Sequence, residues 1–155
     1  MTLQEVIKAI EMIASQQPSV NMVVQNDIFR LNSLSNARYG VFGWTQGQHS
    51  TSADSSMFTF SFTFFYVDRL KSDLSNQIEV QSVGVQTLDN LLRRLDDLGL
   101  YVSSTYTFQT FNQRFFDECA GVFCNVSLQV PVSSMCSESF PDFLSMDFNE
   151  DFWIY

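Results

Sequence analysis

The run Met57-Phe58-Thr59-Phe60-Ser61-Phe62-Thr63-Phe64-Phe65-Tyr66-Val67, continued by Asp68-Arg69-Leu70, alternates aromatic rings with small hydroxyl residues as far as Phe64. Strand side chains change face at every residue, so Phe58, Phe60, Phe62 and Phe64 share one side of the pleat and Thr59, Ser61 and Thr63 the other. Burying one such ring stabilises by roughly 1.5–3 kcal/mol. A slip of one residue would turn every one of these rings outward, so burial holds the register. A strand with one apolar face also needs a second layer to cover it.

Two segments can supply that layer. Thr2 with Glu5 forms a capping-box pattern, and Leu3, Val6, Ile7, Ile10, Ile13 and Ala14 recur at helical spacing until Gln16-Gln17-Pro18, which predicts a helix over 3–13. Val85, Leu88, Leu91, Leu92, Leu95 and Leu98 draw a second apolar stripe, closed by Gly99 and preceded by a polar connector at 76–82. Further strands are expected at 20–24 and 27–31, around a turn at 25–27, then at 39–45, 100–108 and 122–130. In the last of these, Val122, Cys124, Val126, Leu128 and Val130 share a face until Pro131. The fold class read from this order is α+β: a single antiparallel or mixed sheet covered by two α-helices. Its core is expected to hold Ile7, Ile10, Phe60, Phe62, Leu88, Leu92, Leu95, Val126 and Leu128.

Two polar segments stand apart. Residues 46–56, from Gln46 to Ser56, carry no large apolar side chain and read as an extended polar hairpin loop. Residues 136–155 hold Glu138, Asp142, Asp147, Glu150 and Asp151 without a basic residue, among Phe140, Phe143, Leu144, Met146, Phe148, Phe152, Trp153, Ile154 and Tyr155. Rings serve as anchors and acids as specificity elements in a segment that docks on another subunit. The competing reading is a last strand on its own domain. The division expected is a domain at 1–131 and a docking tail at 132–155.

The 155 residues fit one domain able to bury about 70% of its unfolded surface. Sixteen Phe against a charged fraction of 16% predict that some rings meet a partner. A net charge of −9 argues against grip on a phosphate backbone, and Arg69, Lys71, Arg93 and Arg94 are the clustered basic residues. Cys119, Cys124 and Cys136 form no CxxC pair, as expected of free thiols in a reducing compartment. The start, Met1-Thr2-Leu3-Gln4-Glu5, shows no basic and apolar leader pattern, and no apolar run approaches the length of a membrane span. A soluble product of a cytoplasm is expected.

Catalytic parts are scarce. His49, the one histidine, has no acid or thiol at ligand spacing and reads as a solvent-facing loop residue. Cys119 and Cys124 fit neither a zinc knuckle nor a redox pair. The neighbouring acids Asp96-Asp97 and Asp117-Glu118 point in different directions on any regular element, and no phosphate-binding glycine loop or GxSxG string occurs. No catalytic, cofactor-binding or metal-binding residue is assigned, no cofactor or small-molecule substrate is expected, and the chain reads as a non-enzyme.

Two blocks carry a resemblance. Asp68-Arg69-Leu70 with Asn76-Gln77-Ile78-Glu79-Val80-Gln81-Ser82 leads into the 88–98 helix. Phe111-Asn112-Gln113-Arg114-Phe115-Phe116-Asp117-Glu118-Cys119-Ala120-Gly121-Val122 leads into the strand ending at Pro131. Together with the first helix, these resemble the small neck and tail-completion proteins of tailed bacteriophages. The likeness is to tail-terminator-like proteins of phages of gut Bacteroidetes, crAss-like phages included, and it spans most of 1–131.

The resemblance implies a structural virion protein without an active site, assembled in the bacterial host cytoplasm. It would form a homo-oligomeric ring, hexamer or dodecamer, between capsid portal and tail, meeting other neck, portal or tail proteins, with DNA only as the passing genome and no membrane. An acidic lining would suit such a conduit. Partner contacts are expected from His49, Ser50, Phe140, Phe143, Phe148, Phe152, Trp153 and Tyr155. Two other classes stay open: a monomeric cytoplasmic adaptor that binds a peptide or small ligand in an aromatic groove, and a small hydrolase using Cys119 or Cys124.

Overall fold

The structure, a computed structural model, describes residues 1–25, 39–52, 54, 56–103, 105–114, 118–131 and 153–154. The chain is α+β, one mixed sheet with two helices on one face among the described residues. Helix α1 is Leu3–Ser15, followed by strands β1 (Met22–Val24), β2 (Val41–Gln46), β3 (Ser50–Thr51) and β4 (Met57–Arg69). Helix α2 is Gln77–Asp97, and β5 (Tyr101–Val102), β6 (Phe108–Arg114), β7 (Glu118–Pro131) and β8 (Trp153–Ile154) complete the order.

The aromatic strand β4 is the centre of the sheet. It pairs antiparallel with β7 along its whole length, from Met57↔Pro131 to Arg69↔Cys119. On its other side it pairs with β2 and, further along, with β3. The path across the sheet is β5-β7-β4-β2-β1-β8, with β6 also on β7. Strand β1 runs parallel to both β2 and β8.

Period-two alternation puts Phe60, Phe62, Phe64 and Tyr66 on the inner face, all buried, with Phe58 partly buried at the end of the row. Val122, Cys124, Val126, Leu128 and Val130 of β7 lie beside them. Helix α1 begins at the capping box: Thr2 Oγ1 accepts the Glu5 N–H at 3.3 Å and Glu5 Oε2 accepts the Thr2 N–H at 2.6 Å. It buries Val6, Ala9, Ile10, Met12 and Ile13, whereas Ile7, expected in the core, packs against it only partly buried. Helix α2 buries Leu88, Leu91, Leu92 and Leu95. A Cβ on Gly84 would stand 2.9 Å from Val122 Cγ2, so this glycine sets how closely α2 lies on the sheet.

Three sequence expectations are corrected. The polar connector at 76–82 is helical from Gln77 onward, because its polar side chains face water while Val80 and Val83 face inward. Asn76 caps nothing with its side chain; it bridges the preceding loop, accepting the Lys71 N–H and donating to the Arg69 carbonyl. The strand expected over 100–108 is only Tyr101–Val102, and the longer strand starts where it was expected to end. Tyr106 leaves the ladder because its hydroxyl donates to Asp89 Oδ1 on α2 at 2.8 Å. The loop at 46–56 is shorter than expected, because Ser50 and Thr51 rejoin β4 as β3. The strand expected at 27–31 lies outside the described residues.

The opposite face of the sheet has two halves. At one end Met22, Val24, Val41, Phe65, Val67 and Cys119 form a small second cluster. The ring of Phe65 lies over its cross-strand partner Gly43, where a Cβ would stand 1.9 Å from Phe65 Cζ, and Phe111 covers Gly121 in the same way. At the other end Thr59, Ser61 and Thr63 face Gln129, Ser127 and Asn125 across the β4–β7 ladder. These six residues are half-exposed to exposed, and none of them is charged.

Candidate functional site

His49 occupies a bulge. The partner of Phe62 is Gln46 and that of Thr59 is Ser50, so the strand side carrying His49 takes one more residue than β4 over this stretch. The Ser61 N–H, left without a ladder carbonyl, donates to His49 Nδ1 at 3.2 Å. His49 Nε2 then carries the proton and donates to Gln46 Oε1 at 2.9 Å. The imidazole also stands edge-on to Phe60 at 5.4 Å and tilted against Phe62 at 5.7 Å. Expected to face solvent, His49 is half-buried with both ring nitrogens engaged in the fold. Ser50, beside it, is exposed.

The thiols of β7 are enclosed. Cys119 is 1% exposed and Cys124 is fully buried. Desolvation pushes the Cys124 thiol up to about 12, so it stays protonated and is a poor nucleophile at neutral pH. The described residues contain no group of three His, Cys, Asp or Glu side chains able to hold a metal ion.

One buried carboxyl escaped the sequence reading. Glu11 of α1 is 6% exposed and accepts the Trp44 Nε1–H at 3.2 Å. Burial raises its pKa to about 7, opposed in part by the indole hydrogen bond. Its position on the edge of the α1 stripe does not reveal this; the partner sits on β2, 33 residues away.

The basic residues separate. The Arg69 guanidinium lies 5.9 Å from the Tyr39 ring centroid, and Arg93 donates from Nε to Asp89 Oδ2 at 2.8 Å. The hydrogen bond from Arg93 holds the Asp89 carboxyl below its ordinary range. Arg94 donates to Gln16, the residue that caps the end of α1. An open groove of about 470 Å³ beside this pair is lined by Leu92, Arg93, Asp96, Asp97, Val102, Ser103 and Tyr106.

The remaining candidate is the sheet edge. Met22, Val23 and Val24 of β1 are buried, with β2 on one side. On the other side the end of the acidic-aromatic segment pairs with them in parallel, Val23↔Trp153 and Val24↔Ile154. Without β8 this side of β1 would present unpaired N–H and C=O groups, a template for another strand. Of the partner-contact residues expected from the sequence, Trp153 is thus placed on the sheet, and His49 and Ser50 lie at the bulge near the opposite end of β4. Phe140, Phe143, Phe148, Phe152 and Tyr155 lie outside the described residues.

Set against models of known protein families and against curated proteins, the sequence matches none. No helix among the described residues is long and apolar enough to cross a membrane.

Proposed function

We propose that this chain is a non-enzymatic structural subunit of a tailed-phage neck, with a tail-terminator-like fold. It forms a ring between portal and tail and works inside the virion. The observation that carries the reading is the sheet edge: β1 is completed by a short strand at the end of the acidic-aromatic segment, an element suited to joining copies or rings. The groups that chemistry would need are held by the fold. His49 is bound at both nitrogens, the Cys124 thiol is buried and protonated, and Glu11 is enclosed under α1.

The inner rings cohere within the domain, so contacts between copies fall to the edge, the bulge and the tail. The uncharged face of Thr59, Ser61, Thr63, Asn125, Ser127 and Gln129 suits a conduit better than the acidic lining expected from net charge. It offers no cation to hold a phosphate and no field to repel one.

Deleting the gene tests the reading. The expected result is DNA-filled heads without attached tails, together with rings of the purified chain or of chain mixed with portal in electron micrographs. Normal virions from the deletion strain refute it.

A further inference from the structure

We infer that β6 is a pairing edge for a second copy of this chain: two β6 strands join antiparallel about a two-fold axis at Phe111, so that two sheets become one. The contact is isologous and stands apart from the heterologous contacts that close a ring.

Strand β6 is the long edge that the fold leaves open among the described residues. Strand β1 is covered by β8, and β3, β5 and β8 are two residues long each, too short to invite pairing. In contrast, β6 has seven residues and pairs with β7 alone. Its register is unbroken from Phe108↔Cys124 to Arg114↔Glu118, so no bulge turns it away from a partner. The sequence from Phe108 to Gln113 has no proline and no charged residue. Bulges, prolines and charges are the devices that otherwise protect an edge. Gln109, Thr110 and Asn112 are exposed.

The direction of the hydrogen-bonding groups follows from two bonds. The Leu70 N–H donates to the Glu118 carbonyl at 2.8 Å on the β4 side of β7, and the Ser103 N–H donates to the Ser127 carbonyl at 3.3 Å on the opposite side. Antiparallel partners exchange both bonds or neither, in alternation. The even-numbered residues of β7 therefore turn their backbone groups to β4 and the odd-numbered ones to β6. Gln109 and Phe111, opposite Phe123 and Gly121, spend theirs on β7. Phe108, Thr110 and Asn112, opposite Cys124, Val122 and Ala120, aim theirs outward, where no described group bonds them.

A second copy matches this edge. Turned about Phe111, it sets Thr110 opposite Asn112 as a bonded pair on each side of the axis. Phe111 then meets Phe111 at the closer, non-bonded site, where facing rings add stability. With the backbone of Phe108 against that of Arg114, the seam holds about eight ladder hydrogen bonds. Charge favours the same place: at a net charge of −9 two copies repel over most approaches, and the stretch from Phe108 to Gln113 brings no acid to the seam. The helices do not obstruct it. Gly84 sets α2 against Tyr66 of β4 and Val122 of β7, so the two α2 helices stand at least three strand spacings apart, about 14 Å, beyond the roughly 8–10 Å of packed helices.

Thr110→Pro in the full-length chain tests the pairing. The Thr110 N–H points outward, so the β7 ladder keeps its bonds, while the seam loses a bond from each copy and has to accommodate the pyrrolidine. Sedimentation velocity over a concentration series should show a wild-type dimer and a dissociation constant raised about 100-fold in the variant, with far-ultraviolet circular dichroism unchanged. Thr110→Lys, which sets like charges at the seam, repeats the measurement where proline disturbs the strand. Hydrogen exchange of the wild-type chain gives an independent reading. The amides of Phe108, Thr110 and Asn112 should be protected only at concentrations where the dimer forms, and those of Gln109 and Phe111 at every concentration. A chain that stays monomeric, an oligomer that neither substitution weakens, or outward amides that exchange equally fast at every concentration overturns the inference.

Discussion

Replacing Glu11 by Gln should abolish a pH dependence that the wild-type core carries. The carboxyl is 6% exposed, and its folded pKa is raised from 4.5 to about 7 by burial. A raised folded pKa means that the folded state holds the proton more tightly, so the associated stability is complete below about 4.5 and is lost as pH climbs through 7. Between pH 5 and pH 8 the loss amounts to about 2.5 kcal/mol as an upper figure, since the helix can relax around the charge. Gln keeps the size and the acceptor for the Trp44 indole but never ionises. Urea unfolding followed by far-ultraviolet circular dichroism should therefore find the two proteins similar at pH 5 and the Gln form more stable at pH 8. In a Trp153→Phe background Trp44 is the sole indole, and its emission should titrate with a midpoint near that of Glu11. A stability difference between the wild-type and Glu11→Gln proteins that stays constant from pH 5 to pH 8 would refute the assignment of a buried, titrating carboxyl.

Other perturbations follow from the same geometry. Gly43→Ala should destabilise by about 1–3 kcal/mol, because the new methyl occupies the place of the Phe65 ring; in a Phe65→Ala background it should cost almost nothing, a coupling that a double-mutant cycle of urea melts will read. His49→Ala should cost about 1–2 kcal/mol by removing the acceptor for the Ser61 N–H and the contacts with Phe60 and Phe62, measured as a shift in urea midpoint. Cys119 and Cys124 should resist a thiol reagent in the native protein and react on unfolding, with Cys136→Ser identifying the third thiol; rapid native labelling of either would contradict the enclosed β7.

The central strand and both helices were legible because their determinants are local. Alternation from Phe58 to Phe64 names a face without knowledge of any partner, and Thr2 with Glu5 marks a helix start within one turn. Elements whose ends depend on distant groups were misjudged. Gln77, Glu79, Gln81 and Ser82 look like a connector until α2 is seen to bury only one side of itself. Tyr106 reads as a strand residue until Asp89 is found 17 positions away. Likewise, nothing near His49 announces that Ser61 lacks an acceptor, because a bulge is a property of two strands and not of one. The Glu11–Trp44 pair was invisible for the same reason.

The distribution of rings bears on how such a chain associates. The sequence led to the expectation that some rings meet a partner; of those described, Phe42, Phe60, Phe62, Phe64 and Phe65 are each at most 2% exposed within the domain. Even the glycines of the second face are capped by Phe65 and Phe111. Among the described residues the large apolar side chains left exposed are Leu74 and Ile78, at the start of α2, too little surface for a stable hydrophobic interface. In the ring proposed above, contacts between copies would then draw on backbone hydrogen bonds at a sheet edge. The described pairing of β8 with β1 takes in only two residues per strand, which makes it a weak contact by itself.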